Sequence, residues 1–427
     1  MTSRFVALPV DRGDAFLLDR EEKTVLVDGG ASKKGLVSNL KKYWNQGQRV
    51  IDTVVVTHND LDHTGGIIGL LDSNEFTVRE IRLPAYWQSV YEVVANHNTH
   101  YRFSLALVQL VHDFVVVAGR VRHASIKELV SEVLRRERRY WDEKSERRYT
   151  KRDNIERVLG FSEGLTPTAN VFDKLIFVPR NEVELEDTVD EMYDQLFSVM
   201  KDTDVWGTSF NIEIAAWQLI ELSKYVNNIV IISQLSLNNH IAIRYYLHDH
   251  SLSIKKNIDD DFLVPVNAKE VSSRDLNNFC YSCHKEIECA VIQTVKSISN
   301  RYSIPFYAIE TENSPGVLFC AECCVHPIGM SPNRLVIAAG FHHGAKDNSS
   351  AYELIEKWGR GVIWIRSDGG KSTRPCQKYV NLRGQKFCTI CNKPIYGKQP
   401  VRLYAIGKNW INRGLTRTCS CMSVDLR

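Results

Sequence analysis

The sequence has no long uninterrupted apolar run. The longest, 105–119, is broken by His112 and Asp113. It reads as a core helix or strand and not as a membrane span, which needs about 20 apolar residues. An apolar leader is also missing. Met1-Thr2-Ser3-Arg4-Phe5-Val6 enters a strand-like run directly and shows no small-residue cleavage site, so the expectation is a cytoplasmic chain without a signal peptide. Strong charge of either sign is absent. A formal net charge of +3 over 427 residues carries no global polyanion signature, and any basic surface must be local. The cysteines do not form an even-numbered disulfide framework. They number 11 and are clustered, which in a reducing compartment favours metal binding.

What is present is a dense set of metal-ligand side chains. Thr57-His58-Asn59-Asp60-Leu61-Asp62-His63-Thr64-Gly65-Gly66 places two imidazoles and two carboxylates within six positions. The apolar run 51–56 before it reads as a buried strand, and 66–71 after it looks helical. The four side chains are thus expected together on one loop at a strand's carboxyl end, where open α/β sheets put their chemistry. His58 and Asp60 can point one way, Asp62 and His63 the other. Two imidazoles with two carboxylates suit a pair of divalent cations better than one.

The first ninety residues alternate strand and helix signals. Segments 5–10, 16–18, 24–27, 51–57 and 78–83 read as strands, and 35–44 as an amphipathic helix with Leu36, Leu40 and Tyr43 inward. Such alternation implies a sheet covered by helices. Over 120–158 charge dominates. The arginines around Arg135, Arg136, Arg138 and Arg139, with Tyr140 and Trp141, could clamp nucleic acid. The interleaved Glu132, Glu137, Glu143 and Glu146 favour an exposed helix laced with ion pairs instead. Segment 225–233 reads as a strand. Cys280, Cys283 and Cys289 form one cluster, Cys320, Cys323 and Cys324 a second. In the tail, Cys388-x-x-Cys391 and Cys419-x-Cys421 have the spacing of a four-thiolate zinc knuckle.

The pattern His58-x-Asp60-x-Asp62-His63-x-Gly65-Gly66 resembles the metallo-β-lactamase superfamily, in the version seen in the soluble domain of ComEC-type competence proteins. Further landmarks agree in order: Gly13-Asp14 of the opening hairpin, the strand ending in Asp28-Gly29-Gly30, the strand leading to His342-His343-Gly344-Ala345-Lys346, and the run 362–367 as a last core strand. The resemblance implies an α/β fold, a four-layer αββα sandwich with helical and Cys-containing insertions and a Cys-rich tail. On this reading 1–119 is the first half of the core, 120–165 a charged helical insertion, 166–239 a core continuation, 240–312 a Cys-containing insertion, 313–375 the second half with His-His-Gly, and 376–427 the tail.

The same resemblance implies a two-metal hydrolase, with zinc, manganese or magnesium and a metal-activated water. Its ligands would be His58 with Asp60, Asp62 with His63, and His342 or His343; Asp28 would support the loop by hydrogen bonding. Two departures stand out. In place of the usual bridging Asp before His-His-Gly, the chain offers Glu322, 20 positions before His342, with Cys320 and Cys323 as competing donors. The middle His has no clear counterpart; His97 and His100 are weak matches. Most of the superfamily has His where Asp60 stands. Asp60 shifts the ligand set toward oxygen, harder cations and a phosphodiester substrate. Lys346 and Arg374 could hold phosphate oxygens, and Asp62, His343 and Lys346 are the expected catalytic groups. The reading is a nuclease acting on DNA or RNA, with structural zinc on Cys388, Cys391, Cys419 and Cys421, no membrane association, and insertions that suit a polymer or a protein partner. The alternatives are a small-molecule ester or lactone hydrolase, or a catalytically degenerate module that binds nucleic acid or protein.

Overall fold

The computed structural model describes residues 3–10, 12–44, 49–95, 225, 228–248, 262–272, 302–322, 336–345, 349–356, 361–367, 374–391, 399–413 and 418–421. By contacts the chain divides into two units, 1–88 with 231–278 and 300–427, and 89–230 with 279–299. The two sheets and the candidate site belong to the first unit. The charged segment 120–165 and the cluster Cys280, Cys283 and Cys289 lie outside the described residues.

The opening sequence folds as its patterning requires. Strands β1 (Arg4–Ala7), β2 (Phe16–Arg20) and β3 (Lys23–Val27) form an antiparallel meander. Helix α1 (Lys33–Tyr43) starts at Ser32, whose hydroxyl accepts the Gly35 amide at 3.0 Å, and it buries Leu36, Leu40 and Tyr43 at spacings of four and three. Strand β4 (Val50–Val55), helix α2 (Leu61–Asp72) and strand β5 (Thr77–Pro84) follow. The pairings β3–β4 and β4–β5 are parallel. Helix α3 (Tyr86–Ala95) leaves the end of β5. Strands β6 (Ala242–His248) and β8 (Ala268–Val271) complete that edge. At the other edge, β14 (Val401–Ile406) and β15 (Asn409–Ile411) return from the tail to pair with β1. Among the described residues the order is β15-β14-β1-β2-β3-β4-β5-β6-β8.

The second sheet runs β13-β12-β11-β10-β9-β7, from β7 (Leu263–Pro265), β9 (Phe306–Ala308), β10 (Val317–Phe319), β11 (Val336–Ala339), β12 (Val362–Arg366) and β13 (Lys386–Cys388). Strands β10 to β13 are parallel. Helices α4 (Ser349–Glu356) and α5 (Gln377–Asn381) connect them. The runs Val-Ile-Ala-Ala and Val-Ile-Trp-Ile-Arg are buried along their whole length, as central parallel strands must be.

One apolar core joins the two sheets. Phe5 and Phe16 of the first sheet lie 6.4 and 6.1 Å from Phe319 of the second, ring centre to ring centre. Each buried side chain of this size contributes about 1.5–3 kcal/mol through lost water contact. Buried polar ties add register: Arg82 of β5 donates to the Leu263 carbonyl at 2.7 Å, and the Trp410 indole of β15 to the Gly316 carbonyl at 3.1 Å. No helix among the described residues is long and apolar enough to cross a membrane.

Two expectations need correction. Residues 228–238 form a helix, so the run expected as a strand over 225–233 is helical where it is described. Ile229, Ile232, Ser233 and Ser236 are its buried face, a period near 3.6 hidden inside a continuous apolar run. The metal-ligand segment is also not one loop. Helix α2 begins at Leu61, because Asp60 acts as its N-cap. Asp62 and His63 therefore sit in the first helical turn, and only His58 and Asp60 precede it.

Candidate metal centre

Three imidazoles are fixed from behind and face a common carboxylate. His58 follows β4, and its Nδ1 lies 3.0 Å from the Thr57 hydroxyl. Thr57 is itself held by Asp28, whose carboxylate accepts from the Thr57 amide at 2.9 Å and from its hydroxyl at 2.8 Å. The same Asp28 lies 2.8 Å from Nδ1 of His63. Asp14, which follows the left-handed Gly13, lies 3.1 Å from Nδ1 of His343 and accepts from the Ser367 hydroxyl at 2.6 Å.

With the Nδ1 sides engaged, the Nε2 atoms converge on Glu322, which follows β10. His63 and His343 place Nε2 3.3 Å from Oε1; His58 and His342 place theirs 3.5 and 3.6 Å from Oε2. Asp62 approaches Nε2 of His343 at 3.7 Å. Nε2 of His58 and of His343 are buried without a hydrogen-bond partner, an arrangement that costs free energy unless a further group satisfies them. The separations fit a cation between the donors: two ligands each roughly 2.0–2.2 Å from one ion sit about 3–3.5 Å apart. A carboxylate–histidine pairing behind the ligand, as Asp28 and Asp14 provide, is the usual support for a metal-binding imidazole. The donor set fits a divalent metal ion.

The backbone is built for this convergence. Helix α2 must approach the β3–α1 turn closely: a Cβ on Gly66 would lie 1.9 Å from the Gly29 carbonyl oxygen, and the Gly66 amide donates to Gly30 at 2.7 Å. Gly13 has φ +81°, and a Cβ there would lie 1.6 Å from the Asp62 carbonyl oxygen. The turn after β11 is left-handed at two non-glycine residues, His342 (φ 43°) and His343 (φ 55°). Each such residue costs about 1–3 kcal/mol and persists only where the surroundings impose it.

The electrostatics follow from burial and proximity. Burial would push the His63 imidazole down, but Asp28, with Glu322 and Asp62, outweighs it and holds the group well above its ordinary value. His343 is raised in the same way, burial being overcome by Asp14. Burial would raise Glu322, yet the imidazoles led by His342 and His58 hold it well below. Asp60 is pushed up to about 6 by burial and by the charges of Asp62 and Glu322. His342 is pushed down to about 4, first by burial, with Glu322 opposing and the Arg374 guanidinium assisting.

Several expected residues fall elsewhere than their spacing implied. Asp60 is not in the closest donor groups among the described residues, yet the charges of Asp62, Glu322, His58 and His63 all act on it. Its carboxylate accepts the Leu61 amide at 2.7 Å, and the close donor groups are His58–His63–Glu322 and Asp14–His63–His343. The helix cap engages one oxygen of Asp60, and the turn of helix separates Asp62 from His63, sending Asp62 toward His343. Cys320 is buried in the apolar core with its thiol 3.9 Å from the Leu318 carbonyl. Lys346, Cys323, His97 and His100 lie outside the described residues. Sequence reasoning assigned no role to Asp14 or Ser367; the Gly13-Asp14 pair was the available signal for the first.

The four tail cysteines come together. Cys391 Sγ lies 3.5 Å from Cys419 and 3.2 Å from Cys421, and Cys388 lies 3.8 Å from Cys421. All four sulfurs are within 4.8 Å of one another.

A search of curated proteins finds no match to the chain. The profile of the metallo-beta-lactamase superfamily matches residues 8–94, the segment carrying Asp14, Asp28, His58, Asp62 and His63, and this match implies a metal-dependent hydrolase.

Proposed function

We propose that the chain is a metal-dependent phosphodiesterase that cleaves nucleic acid, on a four-layer αββα framework of the ComEC type. The observation that carries the metal-dependent part is the convergence of four imidazole Nε2 atoms on the buried Glu322 carboxylate. His58, His63, His342, His343 and Glu322 would hold the divalent ions, with Asp62 beside His343. Bound there, such ions supply Lewis acidity and a water of lowered pKa.

The chain's own groups do the rest. Asp28 and Asp14 keep the Nδ1 positions of His63 and His343 occupied, which directs the Nε2 lone pairs inward. Of the imidazoles, His342 is the accessible one, its side chain 14% exposed against 0–1% for the others. Arg374 is half-buried and close enough to His342 for its charge to act on it. A guanidinium at the accessible side of the site favours an anionic substrate and can pair with two phosphate oxygens at once. Lys346, two residues beyond Gly344, would add a second positive charge.

The test is a substrate panel. Labelled single- and double-stranded DNA, RNA and an activated phosphodiester are incubated with the full chain and Mn²⁺, Mg²⁺ or Zn²⁺. Cleavage of nucleic acid with at least one metal is expected. Hydrolysis of lactones or carboxylic esters with all phosphodiesters untouched would replace this reading with the small-molecule one.

A further inference from the structure

The tail cysteines raise a question separate from the hydrolytic site. Beside them lies Arg366, the last residue of β12, only 2% exposed. Its Nη2 is 3.0 Å from Cys421 Sγ, while Nε and Nη1 are buried without hydrogen-bond partners. A buried guanidinium costs several kcal/mol unless an anion compensates it. Neutral thiols would not do so. Four thiolates would, but four negative charges this close need a cation among them. A divalent soft cation meets both demands: with four thiolates it leaves a net charge of −2, and Arg366 offsets half of that.

The sulfur geometry agrees. A tetrahedron with metal–sulfur bonds of roughly 2.3 Å has its sulfurs about 3.8 Å apart. The observed separations of 3.2, 3.5 and 3.8 Å are near that value. A disulfide would require about 2.05 Å, and Cys388, Cys391, Cys419 and Cys421 are not disulfide-bonded. Backbone amides also point at sulfur: Cys391 N donates to Cys388 Sγ at 3.3 Å and Ser420 N to Cys391 Sγ at 3.2 Å. Amide donors of this kind favour the ionised ligand.

We propose that Cys388, Cys391, Cys419 and Cys421 form a closed tetrathiolate zinc site, with Arg366 as its buried counter-charge. The site pins both ends of one loop at the edge of the second sheet, where Thr418 bridges Phe387 and the Cys419 amide donates to the Lys386 carbonyl at 2.7 Å. Cys388 ends β13 in the second sheet, whereas the chain between Cys391 and Cys419 makes β14 and β15 in the first. The zinc thereby closes the loop that carries the first sheet's edge. Its surroundings also continue to the hydrolytic site. Thr389, next to Cys388, donates its hydroxyl to the Ser367 carbonyl at 2.9 Å, and Ser367 holds Asp14, which holds His343.

Cobalt substitution in the full chain tests this without recourse to activity. Tetrathiolate cobalt gives strong near-ultraviolet sulfur-to-metal charge transfer and red-shifted d–d bands; a histidine–carboxylate site has no sulfur donor and gives no such charge transfer. Those bands are expected in the native chain and in Glu322→Gln, and their loss is expected in Cys391→Ser. Should Cys391→Ser fail to fold, thiol titration of the native zinc form serves instead. One equivalent of zinc is then released in step with modification of the four cysteines. Arg366→Met should weaken zinc retention about 10–100-fold, as loss of a supporting group does. A native chain with no thiolate bands, or one whose four thiols react without releasing zinc, would overturn the proposal.

Discussion

At the scale of single residues, Asp28 does the most with one side chain. It fixes Thr57, and through it His58, and it holds His63 directly. Asp28→Asn keeps the size and removes the charge that orients both imidazoles. The expected result is a drop of about 10–100-fold in affinity for Mn²⁺ or Zn²⁺, with the circular dichroism spectrum unchanged. Competition against a chromogenic chelator measures it; unaltered affinity would show that Asp28 serves only to close the turn. Gly13 makes a different prediction. Its positive φ and the 1.6 Å approach that a Cβ would make to Asp62 leave no room for alanine. Gly13→Ala should cost more than about 1 kcal/mol in urea denaturation and disturb the Asp62 and Asp14 positions together.

At the scale of elements, helix α2 decides the site. Its glycine face lets it seat against the β3–α1 turn, with Gly29 N donating to the His63 carbonyl at 2.9 Å and Gly66 N to Gly30 at 2.7 Å. Gly66→Ala would force the helix away from Gly29, carrying His63 off Glu322. Metal binding should fall more than thermal stability, and calorimetry with and without Mn²⁺ separates the two. The Asp-Gly-Gly and His-Thr-Gly-Gly segments were legible in the sequence through the family resemblance, which implied that Asp28 supports the His58 loop by hydrogen bonding. The start of α2 was not, since Asp60 can be read as ligand or as helix cap, and its acceptance of the Leu61 amide shows that one of its carboxylate oxygens serves the cap. Segment 228–238 misleads for a related reason. A run of Ile and Val satisfies both periods, and only the burial of Ile229, Ile232 and Ser236 distinguishes them.

At the scale of the whole molecule, the candidate centre is assembled from segments far apart in sequence. His58 and His63 come from the first sheet's connections, Glu322, His342 and His343 from the second's. The shared core between the sheets therefore positions the metal donors. Trp364, fully buried and packed edge-on against Tyr352 at 5.6 Å, is central to the second sheet. Trp364→Ala should cost about 3–5 kcal/mol, read as a lowered denaturation midpoint, and should weaken metal binding only as far as the fold is lost. The family resemblance nominated Glu322, as the carboxylate 20 positions before His342, and left Cys320 and Cys323 as competing donors. It could not show that Asp14 sits behind His343, since that contact spans 329 positions and depends on how the sheets pack.

The central claim is that a divalent metal held by the histidines around Glu322 drives phosphodiester cleavage. The most direct measurement strips the full chain with a chelator and titrates Mn²⁺ back while following both bound metal and cleavage of labelled nucleic acid. Native protein should lose cleavage on stripping and recover it in proportion to metal bound. Glu322→Gln, still folded, should bind less metal and recover no more than a trace. Cleavage that survives stripping, or that Glu322→Gln retains in full, would contradict the account.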